Sequence, residues 1–191
     1  MSSIETDVRI IKPSDWEAYK SLWNEACTES PDSFEVSRDE ELARTDAYYQ
    51  TRMKTLTGVG YFEGETLLGM ICLNKTSEAK TRHRATLYNV YFGQACRGTG
   101  IVEMVFDVVV DASVQMGVTQ LELYVSSGAG RAIGFYKKCG FAKVGSIPAA
   151  INVGSQSHNL NLMVKTLEAA PAEPNLTARR LEPIANATAR M

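Results

Sequence analysis

The sequence predicts an α/β fold in one domain, a mixed sheet of six or seven strands flanked by about four helices. Three observations carry that prediction. A strand, a glycine-bearing turn and a helix follow one another without interruption from Thr86 to Met116. The same strand–loop–helix order returns between Thr119 and Cys139. Between Thr66 and Asn74, Leu68, Met70 and Cys72 alternate with Leu67, Gly69, Ile71 and Leu73, so both faces of that strand are apolar, as in a strand inside a covered sheet. A length of 191 residues suits one domain and can bury a sizeable core.

Taken in order, Val8 to Lys12 reads as a first strand, stopped by Pro13. A helix follows, with Ser14 and Glu17 as its capping box and Trp16, Tyr19, Leu22, Trp23 and Ala26 as its apolar stripe. After a loop with Pro31, a second capping box, Ser37 and Glu40, opens a helix predicted to run to about Met53. Gly58 to Phe62 and Thr66 to Asn74 form a hairpin through Gly64. Thr76 to Arg84 is polar and basic, a solvated loop in which His83 is a surface residue. Thr86 to Phe92, rich in β-branched and aromatic residues, is the next strand, and Ile101 to Met116 the long helix. Ile101, Val105, Val108 and Ala112 recur at helical spacing and turn one face to a sheet. Val118 to Val125 is a strand and Arg131 to Cys139 a short helix. Phe141 to Ser146 and Asn159 to Thr166 are the last strands. From Glu168 the composition shifts to Ala, Pro, Asn, Thr and Arg, so residues 5 to 167 are read as the domain and 168 to 191 as a tail without a core. Asn175 and Asn186 stand in glycosylation-type triplets that carry no meaning without a secretory signal.

The junction Arg97-Gly-Thr-Gly-Ile-Val102 opens a helix directly after a strand. The first N–H groups of a helix have no internal partner, and the helix dipole adds partial positive charge there. Gly98 and Gly100 remove side chains that would hold a ligand off the backbone, and Arg97 adds a fixed cation. The set suits a phosphate or pyrophosphate. A Walker loop is excluded because the Gly-Lys-Ser/Thr ending is missing, and a full dinucleotide fingerprint because the third glycine is missing.

Composition removes other classes. Net charge is −2 with no long basic run, so nucleic-acid binding by phosphate neutralisation is not expected. Cys27, Cys72, Cys96 and Cys139 lack Cys-x-x-Cys spacing and only two histidines exist, so no metal site is expected. Scattered thiols suit a reducing compartment, and the first residues lack a signal-peptide pattern, which together point to the cytoplasm. No stretch is long and apolar enough to span a membrane.

Two motifs in this order and at this separation carry a resemblance. Arg97-Gly-Thr-Gly-Ile-Val102 is similar to the Arg/Gln-x-x-Gly-x-Gly/Ala pyrophosphate loop of the GNAT superfamily of acyl-CoA N-acyltransferases. Ala132-Ile-Gly-Phe-Tyr136 followed by Gly140-Phe141 resembles its Asn-x-x-Ala-x-x-x-Tyr-x-x-x-Gly-Phe signature. Val102 stands where the family usually has Gly or Ala, and Ala129 where the second motif usually has Asn. The resemblance covers about residues 5 to 167 and implies a GNAT-type domain that transfers an acetyl group from acetyl-CoA to a primary amine, small molecule or peptide, in a direct ternary complex. It implies acetyl-CoA binding by Val90, Tyr91 and Phe92 on the strand, by Arg97, Gly98, Thr99, Gly100, Ile101 and Val102 at the turn, and by Ala129, Ala132 and Tyr136 in the second motif. It makes Tyr136 the acid that protonates the departing thiolate, and it is compatible with a homodimer. Cys139 stands near that motif without the setting of a nucleophile.

The base is left open. Where some members carry a glutamate, nine residues before the loop arginine, this sequence has Tyr88, with Asn89 beside it. A water relay, Glu103 and Glu122 are the other choices. Glu25, Glu29, Asp32, Glu35, Asp39, Glu40, Glu41 and Asp46 face only Arg38 and Arg44 in the same segment, which is either a solvated helix face or an acidic mouth for a cationic amine. A non-catalytic acyl-CoA-binding module is the alternative to an enzyme, and a nucleotide-phosphate binder sharing only the glycine turn is the second.

Overall fold

The computed structural model describes residues 6–168. Seven strands form one sheet: β1 (Thr6–Ile10), β2 (Gly58–Glu63), β3 (Thr66–Lys75), β4 (Arg84–Phe92), β5 (Gln120–Ser126), β6 (Ala142–Val153) and β7 (Gln156–Thr166). Five helices accompany them: α1 (Trp16–Glu29), α2 (Arg38–Leu42), α3 (Asp46–Met53), α4 (Ile101–Gln115) and α5 (Gly130–Lys138). The strand order is β1-β2-β3-β4-β5-β7-β6. Only β4 and β5 run parallel; every other neighbouring pair is antiparallel. The α/β class, the mixed sheet and the chain order of helices and strands are as the sequence predicts. The N-terminal residues 1–5 and the tail beyond Glu168 lie outside the described residues.

Both faces of β3 are apolar as expected. A register shift against β2 that skips Leu68, however, puts Leu67 on the face of Met70 and Cys72 and Leu68 on that of Ile71 and Leu73, the reverse of the plain alternation. Ile71 and Leu73 join Val59, Leu87, Val105, Phe106 and Val109 in the cluster under α4, while Met70 and Cys72 join Tyr19, Leu22, Trp23, Tyr49 and Met53 under α1 and α3. The sheet therefore has a core on each face, and each large side chain buried there contributes about 1.5–3 kcal/mol.

Local boundaries depart from expectation for physical reasons. The entry to α1 is not capped by Ser14 and Glu17. Pro13 opens a tight turn, and the Asp15 carboxylate accepts from the Lys12 N–H at 2.7 Å while paired with Arg9 at 2.7 and 3.0 Å. The Ser37–Glu40 capping box is present, with the Glu40 N–H donating to Ser37 Oγ at 3.3 Å and the Ser37 N–H to Glu40 Oε2 at 2.9 Å. The single helix expected after it is two, because Thr45 caps a new start, its Oγ1 accepting from the Tyr48 N–H at 3.4 Å. The last hairpin is longer than the sequence suggests. Pro148 hides the continuation of β6, and the structure absorbs it in a bulge between Ile147 and Ile151, with Ala149 at φ +48° and its N–H donating to Asn159 Oδ1 at 3.0 Å.

Candidate active site

The site begins where two strands part. β4 and β5 pair over only four positions, from Arg84 opposite Gln120 to Leu87 opposite Leu123. Beyond Leu87, β4 is bulged. Tyr88 pairs with Cys72 and Tyr91 with Met70, so Asn89 and Val90 together stand opposite Ile71. Asn89 takes φ +47°, a left-handed conformation that Asn tolerates better than most side chains. The bend leaves the β5-facing edge of Tyr88–Phe92 without a strand partner. A cleft of about 970 Å³ fills the gap between β4 and β5 and extends to α1, α3, α4 and α5.

One wall is the start of α4. Gly98 and Gly100 adopt φ +75° and +85°, and a side chain at either would meet no protein atom within 4 Å. Left-handed backbone explains both glycines, and the open space beside them leaves room for a ligand. Among the described residues the N–H groups of Gly98, Thr99, Gly100, Val102 and Glu103 have no backbone acceptor. Arg97 Nε donates to the Phe92 carbonyl at 3.0 Å, so the cation is tied to the last residue of β4. The Thr99 hydroxyl donates to the Cys96 carbonyl at 2.7 Å and closes the turn.

The opposite wall is the start of α5. Ala129 stands at its N-cap without a side-chain hydrogen bond, and the N–H groups of Arg131 and Ala132 have no backbone acceptor among the described residues. Two helix N-termini thus open on one cleft, both suited to anionic oxygens. One helical turn on, Tyr136 is only 7% exposed and packs on Phe135 and Phe141. Its hydroxyl makes no hydrogen bond to the described residues, yet no fully buried side-chain oxygen there lacks a partner, so that hydroxyl reaches the cleft. Burial, and secondarily the Cys139 thiol, raise its pKa above the ordinary value near 10 and keep it protonated.

The remaining walls come from α1, α2 and α3. Asn89 Nδ2 and Arg52 Nε both donate to the Tyr19 hydroxyl oxygen, at 2.8 and 3.2 Å. Glu41, 2% exposed, accepts from the Tyr49 hydroxyl at 2.6 Å and from Arg44 Nε at 2.9 Å. Arg44 also lies over the Tyr48 ring, 4.2 Å from its centroid.

Of the sequence-derived candidates, Val90, Tyr91, Phe92, Arg97, Gly98, Val102, Ala129, Ala132 and Tyr136 line the cleft. Thr99, Gly100 and Ile101 shape the turn beside it without lining it. The Tyr91 hydroxyl turns away to donate to Glu25 at 2.9 Å. Glu122 is not free to act as a base: Arg84 grips both its oxygens and Gln120 donates to it at 2.7 Å, which holds its carboxyl below the usual carboxylate range. Glu103 lines the cleft at the α4 end, and burial pushes the Tyr88 phenol up to about 12. The acidic segment is mostly spoken for. Asp46 pairs with Lys20 at 2.6 Å, Glu40 caps α2 and Glu41 is buried on Arg44, so only Glu29, Glu35 and Glu41 line the cleft, facing Arg44 and Arg52. Sequence reasoning missed Tyr19, Tyr48 and Arg52. The one signal in the chain was Asn89, a polar, left-handed-tolerant residue inside an apolar strand. The described residues hold no cluster of metal-ligating side chains and no helix long and apolar enough to cross a membrane.

Comparison with known proteins bears on the family and the fold. The model of the acetyltransferase (GNAT) family matches residues 16–141. No curated protein matches the sequence. The fold is similar to that of a GNAT-family acetyltransferase from Streptococcus pneumoniae, with a TM-score of 0.74 and 18% identity over 86% of this chain and 100% of that one. It is similar to a GCN5-related N-acetyltransferase from Kribbella flavida, with a TM-score of 0.71 and 17% identity over 87% and 100% of the two chains. It is also similar to a protein from Salmonella typhimurium whose structure holds its cofactor acetyl-CoA, with a TM-score of 0.68 and 17% identity over 90% and 99%.

Proposed function

This chain belongs to the GNAT acetyltransferase family, and from that premise we propose that it transfers an acetyl group from acetyl-CoA to a primary amine by direct attack in a ternary complex. The observation that carries the reading is the early parting of β4 and β5, which sets an unpaired strand edge opposite two uncapped helix N-termini. The free N–H groups at Gly98–Gly100, Val102 and Glu103, with Arg97 beside them, suit a pyrophosphate. The unpaired backbone of Tyr88–Tyr91 suits the amides of an extended pantetheine arm. Bound there, acetyl-CoA supplies an activated thioester. The similar Salmonella protein, solved with acetyl-CoA, supports the choice of donor.

The chain's own work is then small. The strand edge orients the acyl carbonyl, and backbone donors face the oxyanion that develops on it. The amine nitrogen forms the new bond to the carbonyl carbon, the carbon–sulfur bond breaks, and the Tyr136 hydroxyl gives its proton to the leaving sulfur. With Glu122 locked by Arg84 and Tyr88 held protonated, the amine's proton leaves to water or to Glu103, which lines the cleft. All four cysteines are free thiols, and none is needed as a nucleophile. They suit a reducing compartment such as the cytoplasm.

The test is free-thiol release from acetyl-CoA with a mixed panel of amines, beside calorimetric titration of acetyl-CoA alone. Amine-dependent thiol release is the expected result. Binding without release from any amine would favour a non-catalytic acyl-CoA module, and binding of ATP or NAD without coenzyme A would overturn both.

A further inference from the structure

Resting on the acetyl-transfer reading, we propose that the acceptor amine carries an anionic group, a carboxylate or a phosphonate, and that Arg52 with the Tyr48 and Tyr88 hydroxyls binds it. Arg52 is partly buried in the cleft wall. Its Nε is spent on the Tyr19 hydroxyl, and Tyr19 is held in turn by Asn89 from the β4 bulge. The guanidinium is therefore fixed at one edge by Tyr19, 33 positions away, which is itself anchored by Asn89, 70 positions from it. Its two terminal nitrogens donate to no described residue, and no carboxylate among those residues lies within 4 Å of it.

The contrast with Arg44 is informative. Arg44 also lines the cleft, but Glu41 neutralises it at 2.9 Å. Arg52 has no such partner. Tyr48 and Tyr88 line the same cleft and pack against the same core cluster, that of Tyr19 and Tyr49, and neither hydroxyl makes a hydrogen bond to a described residue. A planar two-nitrogen edge and two phenol donors, all without acceptors, form a donor set that a carboxylate satisfies in bidentate fashion. Leaving a partly buried arginine fork unmatched is costly, and an anionic substrate removes that cost on binding. Glu29 and Glu35 stand exposed at the rim, where water and salt screen them, so in the half of the cleft built by α1, α2 and α3 Arg52 is the partly buried charge that no described carboxylate matches.

The experiment measures thiol release at saturating acetyl-CoA with L-amino acids, their α-amides, aminoalkylphosphonates and diamines. Free acids are expected to be used at least about tenfold better than their amides, in KM more than in kcat, and preference for phosphonates over carboxylates would identify the oxyanion. Arg52→Gln should erase the acid-over-amide ratio while acetyl-CoA affinity stays within about twofold. Arg52→Lys should keep part of it, and Tyr88→Phe should weaken it without unfolding the wall. Amides or diamines used as well as acids, or an unchanged ratio in a folded Arg52→Gln variant, would overturn the inference and leave acetyl transfer intact. If no acceptor releases thiol, the acetyl-transfer reading fails, and the anion site is decided by titrating the same acids and amides into the coenzyme A-saturated protein. Acid-selective binding that depends on Arg52 then supports it, and binding without that selectivity, or none, overturns it.

Discussion

The two halves of the cleft are made of different material. The half built by Arg97–Val102 and the start of α5 offers backbone: glycines at positive φ, N–H groups without acceptors and an unpaired strand edge. The half built by α1, α2 and α3 offers side chains, cross-linked as Asn89–Tyr19–Arg52 and Tyr49–Glu41–Arg44. Backbone donors suit a ligand part that is the same in every turnover, because they bind phosphate and amide oxygens without reading more. Side chains suit the variable partner. Substitutions in the first half should therefore alter binding with little loss of fold, and several in the second half should alter both.

The largest effect expected tests the second half. Glu41→Ala leaves the Tyr49 hydroxyl and Arg44 without their shared carboxylate, in a spot where Glu41 is 2% exposed. Losing one partner of a buried pair costs about 3–5 kcal/mol, and Arg44 keeps access to water, so about 3 kcal/mol is expected in urea unfolding. A loss under about 1 kcal/mol would mean that packing alone holds α2 and α3, and the contrast between the halves would collapse.

Tyr136→Phe comes next and separates chemistry from fold. The hydroxyl has no partner among the described residues, so its removal should change stability by no more than about 0.5 kcal/mol. Turnover should fall by about 10², or roughly 2.7 kcal/mol of barrier, with acetyl-CoA affinity unchanged. Normal turnover would mean that solvent protonates the thiolate. The pH profile has a definite sign. An acid fails as pH rises through its pKa, and burial raises that of Tyr136 above about 10. The wild-type kcat should therefore show no alkaline decline from Tyr136 below about pH 10, and a decline near pH 9 that Tyr136→Phe abolishes would contradict that environment.

The same contrast explains what the sequence could tell. Residues 97–102 are contiguous, and the role proposed for them lies in backbone conformation that two glycines announce, so the wall proposed to hold the pyrophosphate is legible in the chain itself. The two-faced apolar pattern of β3 announces a covered central strand in the same way. Tyr19, Arg52 and Asn89 are separated by 33 and 70 positions and meet only because β4 bulges at Asn89. No local pattern in the chain encodes that meeting. The acidic segment misleads for a related reason: a run of carboxylates is visible in sequence, but their partners Lys20, Tyr49 and Tyr91 lie elsewhere in it.

Gly100→Glu sharpens the backbone half. It puts a negative side chain at φ +85°, beside the N–H groups proposed to hold the pyrophosphate. Acetyl-CoA affinity in calorimetric titration should drop at least tenfold, about 1.4 kcal/mol. Gly100→Ala carries the same left-handed strain without the charge, so the difference between the two variants reports the electrostatic part. Equal, unchanged affinities in both folded variants would remove this turn from the cofactor site.

The smallest effect asks whether a side chain can be added to the backbone half. Ala129 is the N-cap of α5 and supplies no acceptor to Arg131 or Ala132. Ala129→Asn offers one. Its φ of −85° and ψ of 59° depart from the extended geometry that an N-cap prefers, so the gain should sit at the low end, about 0.5 kcal/mol. For a chain of this size that corresponds to roughly 1–2 °C in Tm. The carboxamide and the cofactor would draw on the same N–H groups, so the gain should appear in the free protein and shrink when acetyl-CoA saturates it. An equal gain in both conditions would show that the start of α5 stands clear of the cofactor, and would reduce the backbone half of the cleft to the turn at Arg97–Val102.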